Sequence, residues 1–380
     1  MKPLCIIPLI FLCSLVSAQQ EPAENSIPEQ VDKFIQLYQF SNALTLLNDI
    51  EDSLSLEVLK RKGTCYHLLG NYNDAIKAYE KIVEIDSTNN GALNALGQLY
   101  AKQKQFGGSI MCYSKLIAMD SLNSYYYKQF GIVGLQAGIP GVAFQNFAKA
   151  LALNPGDIES CAHLADMLIK GDRPDFAEKY LRKTLAVSSS SHLTLLLAKA
   201  QMGEKKYNAA IKTTEQFLVK GDTTLEYARI MGICLFQLKK YEEAIPWMDY
   251  LLDNDMHAEW VYYHLGISYQ NLNKHTVAIN YFNKAVQEGI SDDIGDYYVQ
   301  LAWSYEAINN YKSAVKYYKA AYEESKDNLL LYQLGRSYDV YFKDTAKAIE
   351  YYKKYLKSAD TAKLAREYSQ LRLNELEFYR

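Results

Sequence analysis

Apolar residues along this chain are spaced for helices that come in pairs, and the pairs recur. Between Glu259 and Asp292 a first amphipathic stretch places Gly266 and Tyr269 on one face, a polar turn follows, and a second stretch lines up Ala278, Phe282 and Ala285. Two helices this short are not stable in isolation, so the unit has to be stacked on copies of itself. The small residue of the first helix returns at Gly63, Gly97, Gly131, Ala165, Ala198, Gly232, Gly266, Ala302 and Gly335, in steps of 34, 34, 34, 33, 34, 34, 36 and 33 residues. So regular a period predicts a linear array of helix-turn-helix units, each packed on its neighbours.

Taken in order, residues 29–187 hold the first five units, 191–360 the next five, and 361–380 a final helix. The first unit is degenerate, with Val31, Phe34 and Ile35 before a break near Ser41, and Ala43, Leu46, Leu47 and Ile50 after it. In the second, Leu59, Gly63 and Tyr66 share one face and Ala75, Tyr79 and Ile82 another, separated by Gly70 and Asn71. Gly63 and Ala75 mark where two helix backbones approach too closely for a larger side chain, and Tyr66 and Tyr79 fill the space around them. Pro140 and Pro174 stand where second helices begin, a position that needs no N–H, and Pro155 stops the helix before it.

The run Val187–Ser191 is the softest joint and the expected hinge; the unit after it has Gln201 and Thr214 where the others carry tyrosine and an aromatic. Two extra residues precede the ninth unit, and one extra residue is expected in the turn of the tenth near Lys343 and Asp344. In the last helix Leu364, Tyr368 and Leu371 make the face expected to dock on the tenth unit. Leu373, Leu376, Phe378 and Tyr379 exceed what a last helix needs, and leave a contact with a partner or a second copy open.

A small residue, a tyrosine three later, an alanine twelve after the small residue and an aromatic four further on, as in Gly63, Tyr66, Ala75 and Tyr79, resembles the tetratricopeptide repeat. The resemblance covers roughly residues 24–380 through about ten copies. It implies an all-α, right-handed α-solenoid of about ten helix-turn-helix units with a C-terminal capping helix. It also implies an inner wall built from the first helices and a function exercised by binding at a surface. Repeats that clamp the carboxylate tail of heat-shock chaperones carry a set of Lys, Asn and Arg. The matching positions here are Lys60, Thr64, Ala95, Tyr125 and Gln129, of which only Lys60 fits, so that activity is not implied.

Composition agrees with a chain that folds throughout: 49% hydrophobic residues, with 33 Tyr and 13 Phe against 8 Pro. Lys2 followed by an apolar run from Leu4 to Val16 and the small pair Ser17 and Ala18 predicts a signal peptide over residues 1–18, with a flexible leader at 19–28. Leu4 and Leu12 precede Cys5 and Cys13, so there is no lipobox, and no later run is long enough to span a bilayer. The expected location is exported, periplasmic or outer-membrane-associated. A net charge of −3 offers no cationic surplus for nucleic acid. Cys65, Cys112, Cys161 and Cys234 remain after the leader, one per unit and without metal-ligand spacing, which favours buried free thiols over disulfides.

No nucleophile elbow, phosphate loop or paired-histidine metal helix is present, and the six histidines His67, His163, His192, His257, His264 and His275 are scattered through different units. The sequence therefore points to no catalytic residue, no metal and no cofactor. Positions 2, 5, 9 and 12 of each unit lie on one stripe of the first helix, opposite the core stripe. In the N-terminal half that stripe is polar: Glu57, Lys60, Thr64, His67, Asn94, Gln98, Lys128, Glu159, Asp166 and Lys170. In the C-terminal half it carries Phe236, Trp260, Tyr263, Ile267, Trp303 and Tyr332, with Arg229 and Arg336 nearby. Aromatic residues with arginine are the composition of a recognition surface. The expected function is a non-catalytic scaffold that binds another protein or peptide in a cell-envelope complex for assembly, secretion or transport. The alternatives are a sugar or other flat ligand stacked on the same aromatics, and burial of those aromatics across the groove.

Overall fold

The structure is a computed structural model that describes residues 27–50, 55–218, 224–289, 293–358 and 362–378, so the expected signal peptide and leader residues 19–26 lie outside it. Among the described residues there are helices and connecting turns and no strand. Two compact units are formed, Met1–Asn154 and Pro155–Arg380. The first holds the pairs α1 (Ile27–Gln36) and α2 (Phe40–Asn48), α3 (Leu56–Leu68) and α4 (Tyr72–Ile85), α5 (Asn90–Lys102) and α6 (Phe106–Met119), α7 (Ser124–Gln136) and α8 (Pro140–Leu153). The second holds α9 (Ile158–Lys170) and α10 (Pro174–Leu185), α11 (Ser191–Gly203) and α12 (Tyr207–Leu218), α13 (Leu225–Gln237) and α14 (Tyr241–Asp253), and α15 (Glu259–Asn271) and α16 (His275–Glu288). It continues with α17 (Ile294–Ala307) and α18 (Tyr311–Ser325), α19 (Leu329–Ser337) and α20 (Thr345–Lys357), and the last helix α21 (Lys363–Phe378). The fold is the all-α solenoid of stacked helix pairs expected from the period.

The period has a steric cause. A Cβ added to Gly63 would stand 2.7 Å from Tyr79, and one on Gly97, Gly131, Gly232 and Gly266 would stand 2.8, 2.7, 2.9 and 2.5 Å from Tyr113, Phe147, Met248 and Phe282. Each contact joins a first helix to the second helix sixteen residues on, and contacts this close leave no room for a side chain. In units five and six the small residue is Ala165 or Ala198 and the residue sixteen later shrinks to Leu181 or Thr214, all four fully buried. The added methyl group is met by a smaller partner.

A second repeated device closes the turn inside each pair. Tyr38, Gly70, Lys104, Gly138, Asp172, Lys205, Lys239, Asn273, Asn309 and Lys343 all have left-handed backbones, one for each of ten units. The next residue's N–H reaches back five residues, as in Asn71 N to Tyr66 O at 2.8 Å and Lys240 N to Leu235 O at 2.9 Å, the Schellman arrangement that satisfies carbonyls at a helix end. This places the first break at Tyr38, not near Ser41. Ile27 and Pro28, expected in the leader, already belong to α1.

In the tenth unit the extra residue is not in the turn at Lys343 and Asp344. It is absorbed as a π-helical turn, Tyr338–Phe342, and the closing bond lengthens to six residues, Asp344 N to Tyr338 O at 2.9 Å. Side-chain pairing survives the insertion. Tyr269 stacks on Tyr281 at 5.4 Å and Tyr305 on Tyr317 at 5.4 Å, both twelve residues apart, and Tyr338 stacks on Tyr351, thirteen apart, at 5.6 Å.

The serine run is not a loose joint. α10 and α11 pack directly on each other across it, Ser188 donates to Gly156 O at 3.0 Å, and Ser190 caps α11 by accepting from Leu193 N. The boundary between compact units falls one repeat earlier, at Asn154 and Pro155. The irregular residues of the sixth unit build a polar core instead of weakening it. Buried Gln201 donates to Glu178 Oε1 at 3.2 Å and accepts from Thr213 at 2.8 Å, while Lys206 and Arg182 reach Glu178 at 2.7 and 2.8 Å. Burial alone would raise the Glu178 carboxyl, but these bonds hold it down at about 2. Pro140 and Pro174 open their helices as expected. Cys65, Cys112, Cys161 and Cys234 are buried free thiols, and burial pushes Cys112 up to about 11 and Cys234 to about 12.

The left-handed turn residues supply a test. Lysine in this region costs about 1–2 kcal/mol that glycine avoids, partly offset by the entropy glycine loses on folding. Lys239→Gly is therefore expected to raise the thermal midpoint slightly, a gain of up to about 1 kcal/mol, while Lys239→Val lowers it. A thermal scan followed by circular dichroism reads both.

Candidate functional site

In the second compact unit first helices touch the first helices of neighbouring repeats: α9 meets α11, α11 meets α13, α15 meets α17 and α19 meets α21. The outward stripes of these neighbours lie side by side, and the residues read from the sequence can be placed on them. Phe236 of α13, Trp260 of α15 and Tyr263 of α15 come together around a residue the sequence reading passed over, His264. Its ring lies 4.4 Å from Phe236, 5.7 Å from Trp260 and 5.9 Å from Tyr263, all edge-on. His264 Nδ1 is 2.7 Å from Trp260 O. A carbonyl can only accept, so Nδ1 carries the proton and Nε2 the lone pair. The signal was available in sequence: His264 follows Trp260 by four residues, one helical turn.

A charged group includes Arg229, seven residues before Phe236 on α13. Glu226 accepts from Arg229 at 2.8 Å and from Lys199 at 2.9 Å, two cations on one carboxylate. Burial opposes its ionisation, but the hydrogen bonds from Lys199 and Arg229 prevail and hold its carboxyl below the ordinary range. Arg229 Nε is buried and has no hydrogen-bond partner. The patch thus carries one more positive than negative charge and one unanswered donor.

Other members of the expected surface are used for packing. Tyr263 lies 4.9 Å from Tyr297 and 6.1 Å from Phe282, and Ile267 joins the same cluster with Leu301, so both are glue between the eighth and ninth repeats. Tyr332 is drawn to the C-terminal end, 5.8 Å from both Tyr355 and Tyr368. Arg336 is bound to Glu306, which also accepts from Tyr318 and Tyr341 at 2.8 Å each. Trp303, on α17, stays open at 48% exposure. What remains for a partner is Trp303 on α17, the Phe236–His264 contact between α13 and α15, and Arg229 on α13.

In the first unit the polar stripe is largely self-satisfied. Thr64 donates to Lys60 O at 3.0 Å, so the Tyr79 hydroxyl, 3.2 Å away, donates to Thr64; Gln98 donates to Tyr125 at 2.9 Å. In the second unit Asp166 pairs with Lys170 at 2.6 Å. Among the described residues no cluster of three His, Cys, Asp or Glu has the geometry to hold a metal ion, and no helix is long and apolar enough to cross a membrane.

The tetratricopeptide repeat family models match residues 56–89, 261–288, 295–328 and 330–361, and a model described as anaphase-promoting complex, cyclosome, subunit 3 matches residues 171–247. Comparison with curated proteins returns no match. Similar solved structures include MamA, at 25% identity over 41% of this chain and 92% of that one, with a TM-score of 0.39. A tetratricopeptide repeat protein from Parabacteroides merdae shares 15% identity over 66% of this chain and 98% of that one, TM-score 0.44. YrrB, described as a tetratricopeptide repeat protein with an unusual peptide-binding site, shares 18% identity over 48% and 94%, TM-score 0.43.

Burial drives the His264 imidazole below its ordinary value, with the bond to Trp260 O acting against the shift. A histidine held neutral contributes stability above its unfolded pKa of about 6.5, and the contribution is lost as pH falls through the lower folded value. Between pH 7 and 5 the wild type is therefore expected to lose more thermal stability than His264→Gln. Equal losses in a pair of melting curves would contradict this assignment.

Proposed function

This chain belongs to the tetratricopeptide repeat family, and from that premise we propose that it is a non-catalytic scaffold that binds an extended segment of another protein along the wall of α13, α15 and α17. The observation that carries the proposal is the exposed face of Trp303 on α17, which shares the stripe of first helices with the Phe236–His264–Trp260 cluster. The Arg229 side chain, 36% exposed, offers a cation to a ligand oxygen. Glu226, shared between Lys199 and Arg229, leaves the patch with one positive charge in surplus. The chemistry fits a segment that presents a carboxylate or carbonyl oxygen next to an apolar or aromatic side chain, the latter lying on the exposed face of Trp303. The predicted signal peptide supports placing this work in the cell envelope, in a complex for assembly, secretion or transport.

Trp303 and Arg229 are better probes than Trp260, which is packed with the core around Val261 and Leu265. Trp303→Ala and Arg229→Gln are each expected to weaken partner capture tenfold or more, a loss of about 1.4 kcal/mol, with little change in melting temperature. The measurement is quantitative pull-down from the native envelope followed by titration of the captured partner. Unchanged capture by both variants contradicts the site. Saturable quenching of tryptophan fluorescence by small saccharides would favour the flat-ligand alternative instead.

A further inference from the structure

The last helix docks by only part of the face its sequence suggests, since Tyr368 packs against Tyr332 and Tyr352. Leu364 and Leu371, expected against the tenth repeat, are 82% and 58% exposed, whereas Leu373 is buried and Leu376 packs into the core. The rotation is set by Arg372, which grips buried Asp339 of the π-helical turn with two bonds of 2.9 Å, and by Ala365 and Ser369, which are small enough for close approach. One consequence is a stripe of Leu364, Leu371 and Phe378 turned to solvent, the last at 83% exposure. Their seven-residue spacing keeps them on one side of the helix over a length of about 21 Å. At its start the stripe borders a shallow groove of about 650 Å³ lined by Leu329, Tyr332, Leu364 and Tyr368.

We infer that α21 pairs antiparallel with α21 of a second copy of this chain, about a two-fold axis at Leu371. The stripe is a palindrome about that residue, with a large apolar side chain seven positions away on either side. A two-fold axis there sets Leu371 against its own copy and Phe378 of the second copy against Leu364, where its ring enters the groove between α19 and α21. The same contact is made at both ends, which is the self-complementarity a closed dimer requires. Glu367 and Glu375 come opposite one another in this arrangement, yet each already has its own cation, Lys363 at 3.9 Å and Arg372. Three side chains and a groove rim expose roughly 400 Å² per copy, so the pair buries roughly 800 Å², short of a permanent interface. The dimer should therefore be weak and concentration-dependent.

Sedimentation velocity of the full chain between about 1 and 200 μM should show monomer converting to dimer. Leu371→Glu should raise the dissociation constant at least tenfold with an unchanged melting curve, since Leu371 lies outside the core. Cysteine substitutions test the symmetry. On mild oxidation with diamide, Leu371→Cys should link to itself, while Leu364→Cys and Phe378→Cys should link only when the two variants are mixed. Monomer at every concentration overturns the inference, as does a dimer indifferent to Leu371→Glu or a Leu364→Cys variant that links to itself. These outcomes are independent of Trp303 and Arg229, so loss of the dimer leaves the partner-binding surface standing.

Discussion

The array depends on one contact made again and again: a backbone without room for a side chain, pressed against a large side chain sixteen residues later. Glycine at 63, 97, 131, 232 and 266, and at 335 where the π-helical turn makes the separation seventeen, gives the second helix its distance from the first, and the ring or thioether of its partner fills the crossing. Distance and rotation between the two helices follow from that volume. Where alanine takes the glycine's place at 165 and 198, the facing residue is smaller, leucine or threonine. Ala302 with Tyr318 keeps both an alanine and a tyrosine, and nothing in the structure explains that combination. The left-handed turn residue then returns the chain antiparallel, and the unit can be repeated without accumulating strain.

Polar groups inside such a stack have to be answered, and the places where they are answered give this array its individuality. Glu178 gathers Arg182, Gln201 and Lys206 in the fifth and sixth repeats. Glu306 gathers Arg336, Tyr318 and Tyr341 in the ninth and tenth. Asp339 holds Arg372 and so decides which side of the last helix faces water. A buried charge with its partners specifies a geometry more than it adds stability, because losing either member leaves the other stranded. The Glu226 group is less complete, since Arg229 Nε has no partner within it.

Much of the fold was legible in the sequence because sterics write themselves into residue size at a fixed period. Gly266, Ala278 and Phe282 announce a helix crossing to anyone who counts. What was not legible depends on backbone conformation or on long side chains choosing among partners. Tyr38 and Lys104 carry no mark of a left-handed turn, so the first break was placed at Ser41. The insertion in the tenth repeat was expected in a loop because a π-helical turn has no residue signature of its own. The stripe rule found Trp303, Phe236 and Trp260 but treated every aromatic as equally available. Whether Tyr263 and Tyr332 pack or protrude depends on Tyr297 and Tyr368, which come from other repeats. His264 was overlooked because lone histidines in a helix are usually incidental, and its weight comes from three rings gathered around it.

The central claim is that the close approach of residue 266 to residue 282, not the hydrophobic pattern alone, sets the geometry of the repeat. A double-mutant cycle on that pair, read by thermal and urea unfolding, tests it most directly. Alanine is the better helix former by about 1 kcal/mol, yet Gly266→Ala should destabilise by about 1–3 kcal/mol because its Cβ meets the Phe282 ring. Combining it with Phe282→Leu recreates the Ala165–Leu181 pairing, and the double variant should be at least about 1 kcal/mol more stable than the sum of the single losses. Additive losses, or a Gly266→Ala variant as stable as the wild type, would contradict the account.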